Sequence, residues 1–199
     1  MNKNNNLFLA VSKMLYSLIH TQKEEKPNAS IDDWNIYPSS PSSGDVLDIE
    51  GRTKPGENIG MKVSFTMYFP VIDNEYSYVF ENVKIPSGSN SFMVRTQKVK
   101  DLNFIVRMFI DFKRSFEADN GVAEFFEKNV PAGNYEIVIQ GTANDGENEV
   151  RADFIATQII KADEEGNFFL KYDTSILPEG EFTVKIGDNE KTVTLMPAK

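Results

Sequence analysis

A chain of 199 residues with 21 lysines and arginines against 30 aspartates and glutamates has a net charge of -9. It lacks the clustered basic footprint that a phosphate backbone demands, so nucleic acid is set aside as a partner. There is no cysteine and one histidine, His20, which removes disulfides, thiolate metal sites and cysteine nucleophiles and nearly excludes histidine triads and histidine zinc centres.

Residues 7–19 are the one helix-like passage. Leu7, Phe8, Val11, Met14, Leu15 and Leu18 recur at steps of three and four, which gathers them on one helical face. The stretch is too short to span a bilayer. It reads as a secretory signal interrupted by Ser12 and Lys13, as a helix docking on the protein or a partner, or as a disordered leader. From residue 21 to 44 the composition turns polar, with Lys23-Glu24-Glu25-Lys26-Pro27 and Pro38-Ser39-Ser40-Pro41-Ser42-Ser43-Gly44; such a run reads as a tether. Trp34, the single tryptophan, is expected to pack back on the first domain or to serve as a short docking motif.

Regular alternation begins at Asp45. Ile59, Met61, Val63, Phe65, Met67 and Phe69 place an apolar residue at every second position, the period of a strand with one buried face. Tyr76, Tyr78 and Phe80 continue the pattern, and the Asp73-Asn74 turn predicts a hairpin between the two runs. Residues 102–112 differ. Leu102, Phe104, Val106, Met108, Ile110 and Phe112 fill one face while Ile105 and Phe109 interrupt the other, as in a central strand covered on both sides or in a partner surface. Residues 122–128 predict one more strand.

Three Pro-x-Gly corners, at Pro86, Pro131 and Pro178, each release an aromatic residue and an alternating run. Proline presets φ and glycine permits a sharp change of direction, so each corner suits a chain leaving one sheet for another. Ordered anchors also repeat about ninety positions apart. Ile49-Glu50-Gly51 matches Ile139-Gln140-Gly141, and Pro55-Gly56-Glu57-Asn58 matches Asp145-Gly146-Glu147-Asn148. Ile59, Met61, Val63 and Phe65 align with Val150, Ala152, Phe154 and Ala156; Tyr76, Tyr78 and Phe80 align with Phe168, Leu170 and Tyr172. Ile85-Pro86-Ser87-Gly88 falls on Leu177-Pro178-Glu179-Gly180, and Phe92-Met93-Val94 on Phe182-Thr183-Val184.

The expected fold is all-β: two immunoglobulin-like β-sandwich domains in tandem, or fused, behind a short N-terminal helix and linker. The divisions are 1–44 for leader and Ser/Pro-rich linker, 45–133 for the first sandwich and 134–199 for the second. Tyr135-Glu136-Ile137-Val138-Ile139 could close the first or open the second. The Ile-x-Gly opening, Asp163-Glu164-Glu165-Gly166-Asn167-Phe168, and Leu177-Pro178-Glu179-Gly180-Glu181-Phe182-Thr183-Val184-Lys185-Ile186-Gly187 followed by Lys191-Thr192-Val193-Thr194-Leu195 resemble the immunoglobulin-like repeats of archaeal, particularly methanogen, cell-surface and S-layer-associated proteins. The resemblance covers residues 134–195 best and 45–106 more loosely, and it implies a surface or extracellular location, with a cytoplasmic one as the alternative.

Chemistry-bearing patterns are sparse. Carboxylates cluster in or beside turns. Asp145, Glu147 and Glu149 in one turn and Asp163 and Glu165 in another are candidate calcium ligands if the fold brings both turns to one end; otherwise they are hairpin acids of an acidic protein. Arg95, Lys98, Lys100, Arg107, Lys113 and Arg114 form the one basic concentration, best read as an ion-pairing stripe. The favoured function is a non-enzymatic structural or adhesive module with a protein or cell-envelope partner and no cofactor. The alternatives are a self-associating subunit of a surface assembly, and a carbohydrate-binding or calcium-dependent accessory domain.

Overall fold

The structure, a computed structural model, describes residue 31, residues 33–107 and residues 111–198. The expected helix over 7–19 and His20 lie outside these residues. The described chain contains no helix and forms thirteen strands: β1 Trp34–Tyr37, β2 Val46–Arg52, β3 Asn58–Pro70, β4 Glu75–Ile85, β5 Asn90–Gln97, β6 Asp101–Arg107, β7 Phe112–Glu117, β8 Val122–Lys128, β9 Gly133–Thr142, β10 Glu149–Lys161, β11 Asn167–Asp173, β12 Gly180–Ile186 and β13 Asn189–Leu195.

They build three antiparallel sheets, of order β1-β2-β11, β13-β12-β3-β10-β5-β8 and β4-β9-β6-β7. The two thirteen-residue strands β3 and β10 pair along their whole length, from Lys161↔Asn58 to Glu149↔Pro70, and form the spine of the six-stranded sheet. Alternation puts Ile59, Met61, Val63, Phe65, Met67 and Phe69 on one face of β3. Its early part packs in a core with Leu47, Ile49, Phe168 and Trp34 from the three-stranded sheet. Its late part packs in a second core with Tyr76, Phe80, Phe104 and Ile139 from the four-stranded sheet. Phe65 touches both cores. One long sheet therefore carries two smaller sheets on the same face.

The duplication anticipated from the anchors is visible in this arrangement. β2 to β5 form the first repeat and β9 to β12 the second, yet no ladder joins two strands of the same repeat. Instead β2 pairs β11, β4 pairs β9, β3 pairs β10, β12 pairs β3 and β5 pairs β10. Registers match under the repeat: Phe182↔Phe65 has its counterpart in Phe92↔Ala156. The repeats interlock about a pseudo-twofold axis between β3 and β10. The segments 45–133 and 134–199 accordingly share every sheet that contains a repeat strand.

Local chemistry agrees with the repeat. Gly88 and Gly180 have φ of 110° and 111°, a region in which side-chain-bearing residues are strained. The three Pro-x-Gly corners all switch sheets as expected: β4 to β5, β8 to β9 and β11 to β12. Gly51 and Gly141 need the absence of a side chain for another reason. A Cβ on Gly51 would lie 2.6 Å from the Phe168 ring, and one on Gly141 would lie 2.4 Å from the Asp101 carbonyl oxygen and 2.8 Å from the Tyr76 hydroxyl. Phe168 and Tyr76 are the matched aromatic residues of the two repeats, so each repeat's glycine seats the other repeat's ring.

Three expectations are corrected. The Asp73-Asn74 turn does not close a hairpin, because β3 and β4 belong to different sheets and only the isolated bridge Ile72↔Glu75 spans the turn. Tyr76 and Phe80 must cover the core face of β3, which requires a second layer and not a neighbouring position. The run 102–112 is divided: β6 ends at Arg107, and Phe112 begins β7. The tether reading fails from Ile31 onward. Ile31 and Trp34 are buried in the first core, and β1 pairs with β2. Lys191 caps the Trp34 ring at 4.6 Å and donates a hydrogen bond to the Trp34 carbonyl.

Candidate functional site

The outward faces of the two small sheets are equivalent under the repeat and differ in chemistry. In the four-stranded sheet the partners Val79↔Val138 and Ile105↔Val138 make one outward row. Val138 is 2% exposed although it belongs to neither core, and Val79 is 39% exposed. The corresponding row of the three-stranded sheet is Lys171↔Asp48 and Tyr37↔Asp48, where the Lys171 ammonium meets Asp48 Oδ1 at 2.8 Å. An apolar row in one small sheet replaces an ion pair in the other.

Beside Val79-Val138-Ile105 runs an uncharged polar row, Ser77, Gln140, Asn103 and Ser115. Ser115 Oγ donates to Asn103 Oδ1 at 2.6 Å, and Asn103 Nδ2 donates to Asp101 Oδ1 at 2.9 Å. Tyr76 donates its hydroxyl proton to the Asp101 carbonyl at 2.8 Å, and burial pushes its pKa well above the usual phenol range, so this group stays neutral. On the other side, Arg107 donates to Glu136 Oε1 at 2.5 Å. A recess of about 340 Å³ follows, lined by Glu81, Asn82, Asn134, Tyr135 and Glu136, where the edge strand β4 bulges between Phe80 and Val83. The face thus offers an apolar stripe, hydroxyl and amide groups, and a carboxylate-lined end, a combination suited to contact with another macromolecule.

The turn acids are placed otherwise than a shared calcium site requires. Asp145, Glu147 and Glu149 sit at one end of β10, and Asp163 and Glu165 follow its other end, about 40 Å apart along a strand of this length. Lys100 meets Asp145 at 2.6 Å and Lys98 meets Glu147 at 2.8 Å, so lysine ammonium groups hold the first turn. Asp163 Oδ1 accepts the Glu165 and Asn167 backbone N–H groups at 2.9 and 2.7 Å. The Asn167 N–H is the main reason its pKa is lowered. Among the described residues no group of three or more acids or histidines is arranged to hold a metal.

The basic concentration resolves as an ion-pairing stripe for four of its members: Lys98, Lys100, Arg107 and Arg114, the last meeting Glu127 at 3.0 Å. Sequence reasoning picked out Ile105 and missed Val79 and Val138. A signal was present for Val138, which lies between the core positions Ile137 and Ile139; an apolar residue between two core positions marks a second covered face.

The protein is of the all-antiparallel β class. No protein-family profile matches the chain, and no characterised protein matches it in sequence. Among solved structures, one similar chain is described as "Crystal structure of CapF with inhibitor 3-isopropenyl-tropolone", at 14% identity and a TM-score of 0.21, covering 85% of this chain and 42% of that one. The present chain spans less than half of that neighbour's length, and a likeness of this score carries no argument about fold or activity. Among the described residues no helix is long and apolar enough to cross a membrane.

Proposed function

We propose that the protein is a non-enzymatic β-sandwich module of immunoglobulin-like character, structural or adhesive in role, which contacts a protein of the cell envelope through the outward face of β4, β9 and β6. The observation that carries this reading is the outward row Val79-Val138-Ile105 of the four-stranded sheet, at positions that the three-stranded sheet fills with Lys171, Asp48 and Tyr37. Of the two small sheets, the four-stranded one carries the apolar row. Apolar residues standing in an outward row are retained where something covers them.

The test compares Val79→Lys and Ile105→Lys with Phe169→Lys, a control on the outward face of the three-stranded sheet. Each purified variant is titrated against the envelope fraction of the source cells. The reading expects the first two to retain their melting temperature and lose retention, with Phe169→Lys unchanged. Equal retention by all three variants contradicts it.

A further inference from the structure

The two halves of the chain are joined by one connection, residues 129–132, yet nearly everything that holds the fold together passes between them. Of the ten ladders among the described residues, six join a strand before this connection to one after it. The remaining four attach β1, β13, β8 and β7 to their neighbours. Each core also mixes the halves, as with Ile49 against Phe168 and Phe104 against Ile139. A half separated from its counterpart would leave its main sheet edges unpaired and its apolar face open, and the complementary half of any other copy would fit it equally well.

The connection itself is clasped. The Asn129 N–H donates to the Asn90 carbonyl at 2.7 Å. The Val130 N–H donates to Asn90 Oδ1 at 2.8 Å, and Asn90 Nδ2 donates to the Val130 carbonyl at 3.0 Å. On the other flank the Tyr135 hydroxyl donates to the Pro131 carbonyl at 2.8 Å. These bonds fold the connection back so that the second half returns onto its own first half. They fix the path of the connection, whereas every ladder and both cores reform identically whichever copy supplies the partner half.

We propose that this molecule associates with a second copy of itself by exchanging halves about residues 129–132, with Asn90 as the clasp that favours the closed monomer. Association then depends on protein concentration during folding, since the competing intramolecular partner is present at a fixed effective concentration. The inference rests on the interlocked ladders and not on the functional reading above.

The natural chain has no cysteine, so disulfides report pairing without background. Ser64 and Ile155 are direct partners across β3 and β10, one on each side of the connection. Full-length Ser64→Cys and full-length Ile155→Cys are unfolded, mixed, refolded together at increasing concentration and oxidised. The proposal expects a disulfide-linked species of twice the chain mass in the mixture and in neither variant alone. Its share should grow with concentration and grow further when both chains carry Asn90→Ala. A chain carrying both cysteines, refolded dilute, should close its disulfide within the monomer and so establish that the substitutions permit the native fold. Monomer at every soluble concentration in both backgrounds overturns the proposal, and so does a dimer in which no cross-chain disulfide forms.

Discussion

At one end of the six-stranded sheet the core is aromatic: Phe154 lies against Phe65, Phe69 and Phe80, and Phe104 stacks on Phe125 with ring centroids 3.8 Å apart. At the other end, equivalent strands enclose a mostly aliphatic core of Leu47, Ile49, Ile59, Val184, Ile186 and Leu195 around Trp34, Phe168 and Phe182. Positions matched by the repeat stay fully buried in both, as with Ile49 and Ile139 or Val94 and Val184. The backbone plan is shared while core composition and outward chemistry differ. Cores tolerate such repacking when patterning and total volume are kept, whereas the glycines that let one repeat approach the other have no substitute.

The largest expected effect lies at those glycines. Gly141→Ala drives a Cβ against the Asp101 backbone carbonyl and should cost about 3 kcal/mol, near the upper end for overpacking. Gly51→Ala meets the Phe168 ring and the Trp34 Cβ, and because a ring can shift it should cost about 2 kcal/mol. Urea melts of the two variants measure the difference. Next comes the outward row: Val138→Asp places a carboxylate where 2% of the residue is exposed, at about 2 kcal/mol. Its mirror, Asp48→Val, removes one exposed ion pair and should stay within about 0.5 kcal/mol of the parent.

Gly88→Ala and Gly180→Ala should each cost about 1.5 kcal/mol for backbone strain. Neither position has a neighbour closer than 3.9 Å to an added Cβ, so the two costs should agree if the corners are equivalent. The smallest effect is electrostatic. Lys84 of β4 donates to Asp173 of β11 at 2.9 Å and links the two small sheets. That hydrogen bond, with help from Ser175, holds the Asp173 carboxyl down at about 2. A depressed carboxylate stabilises the fold above the unfolded-state value of 3.8 and loses that contribution as pH falls toward 2. Asp173→Asn should therefore lower the melting temperature slightly at neutrality, where the paired carboxylate contributes, and converge with the parent as pH falls from about 4 toward 2, so that the acid limb of the melting curve is flattened.

Strand identity was legible in the sequence because burial imposes period two, and the repeat was legible because turns impose glycine at fixed offsets. Gly56 and Gly146, matched from sequence, have φ of 70° and 84°. Pairing was not legible. Such repeats specify which strands exist without saying whether β2 finds its partner in its own repeat or in the other, and only the structure shows that the 13-residue strands β3 and β10 each serve two cores. The hairpin expected at Asp73-Asn74 failed for the same reason: local turn chemistry is satisfied, with both residues at positive φ, while the chain continues into another layer. For the candidate face, Ile105 was visible by its interruption of an alternating strand. Val79 and Val138 look like ordinary parts of apolar strands until the layer order shows which side they occupy.

The central claim is that the repeats interlock instead of standing side by side. Glu50 of β2 and Phe169 of β11 are direct partners on the outward face, 119 positions apart in sequence, at a Cα separation that cross-strand disulfides accept. In the folded Glu50→Cys, Phe169→Cys variant, mild oxidation should close this disulfide rapidly within the monomer and leave the native circular dichroism unchanged. Free thiols in a folded monomer, with the disulfide forming only after denaturation, would contradict the interlocked fold.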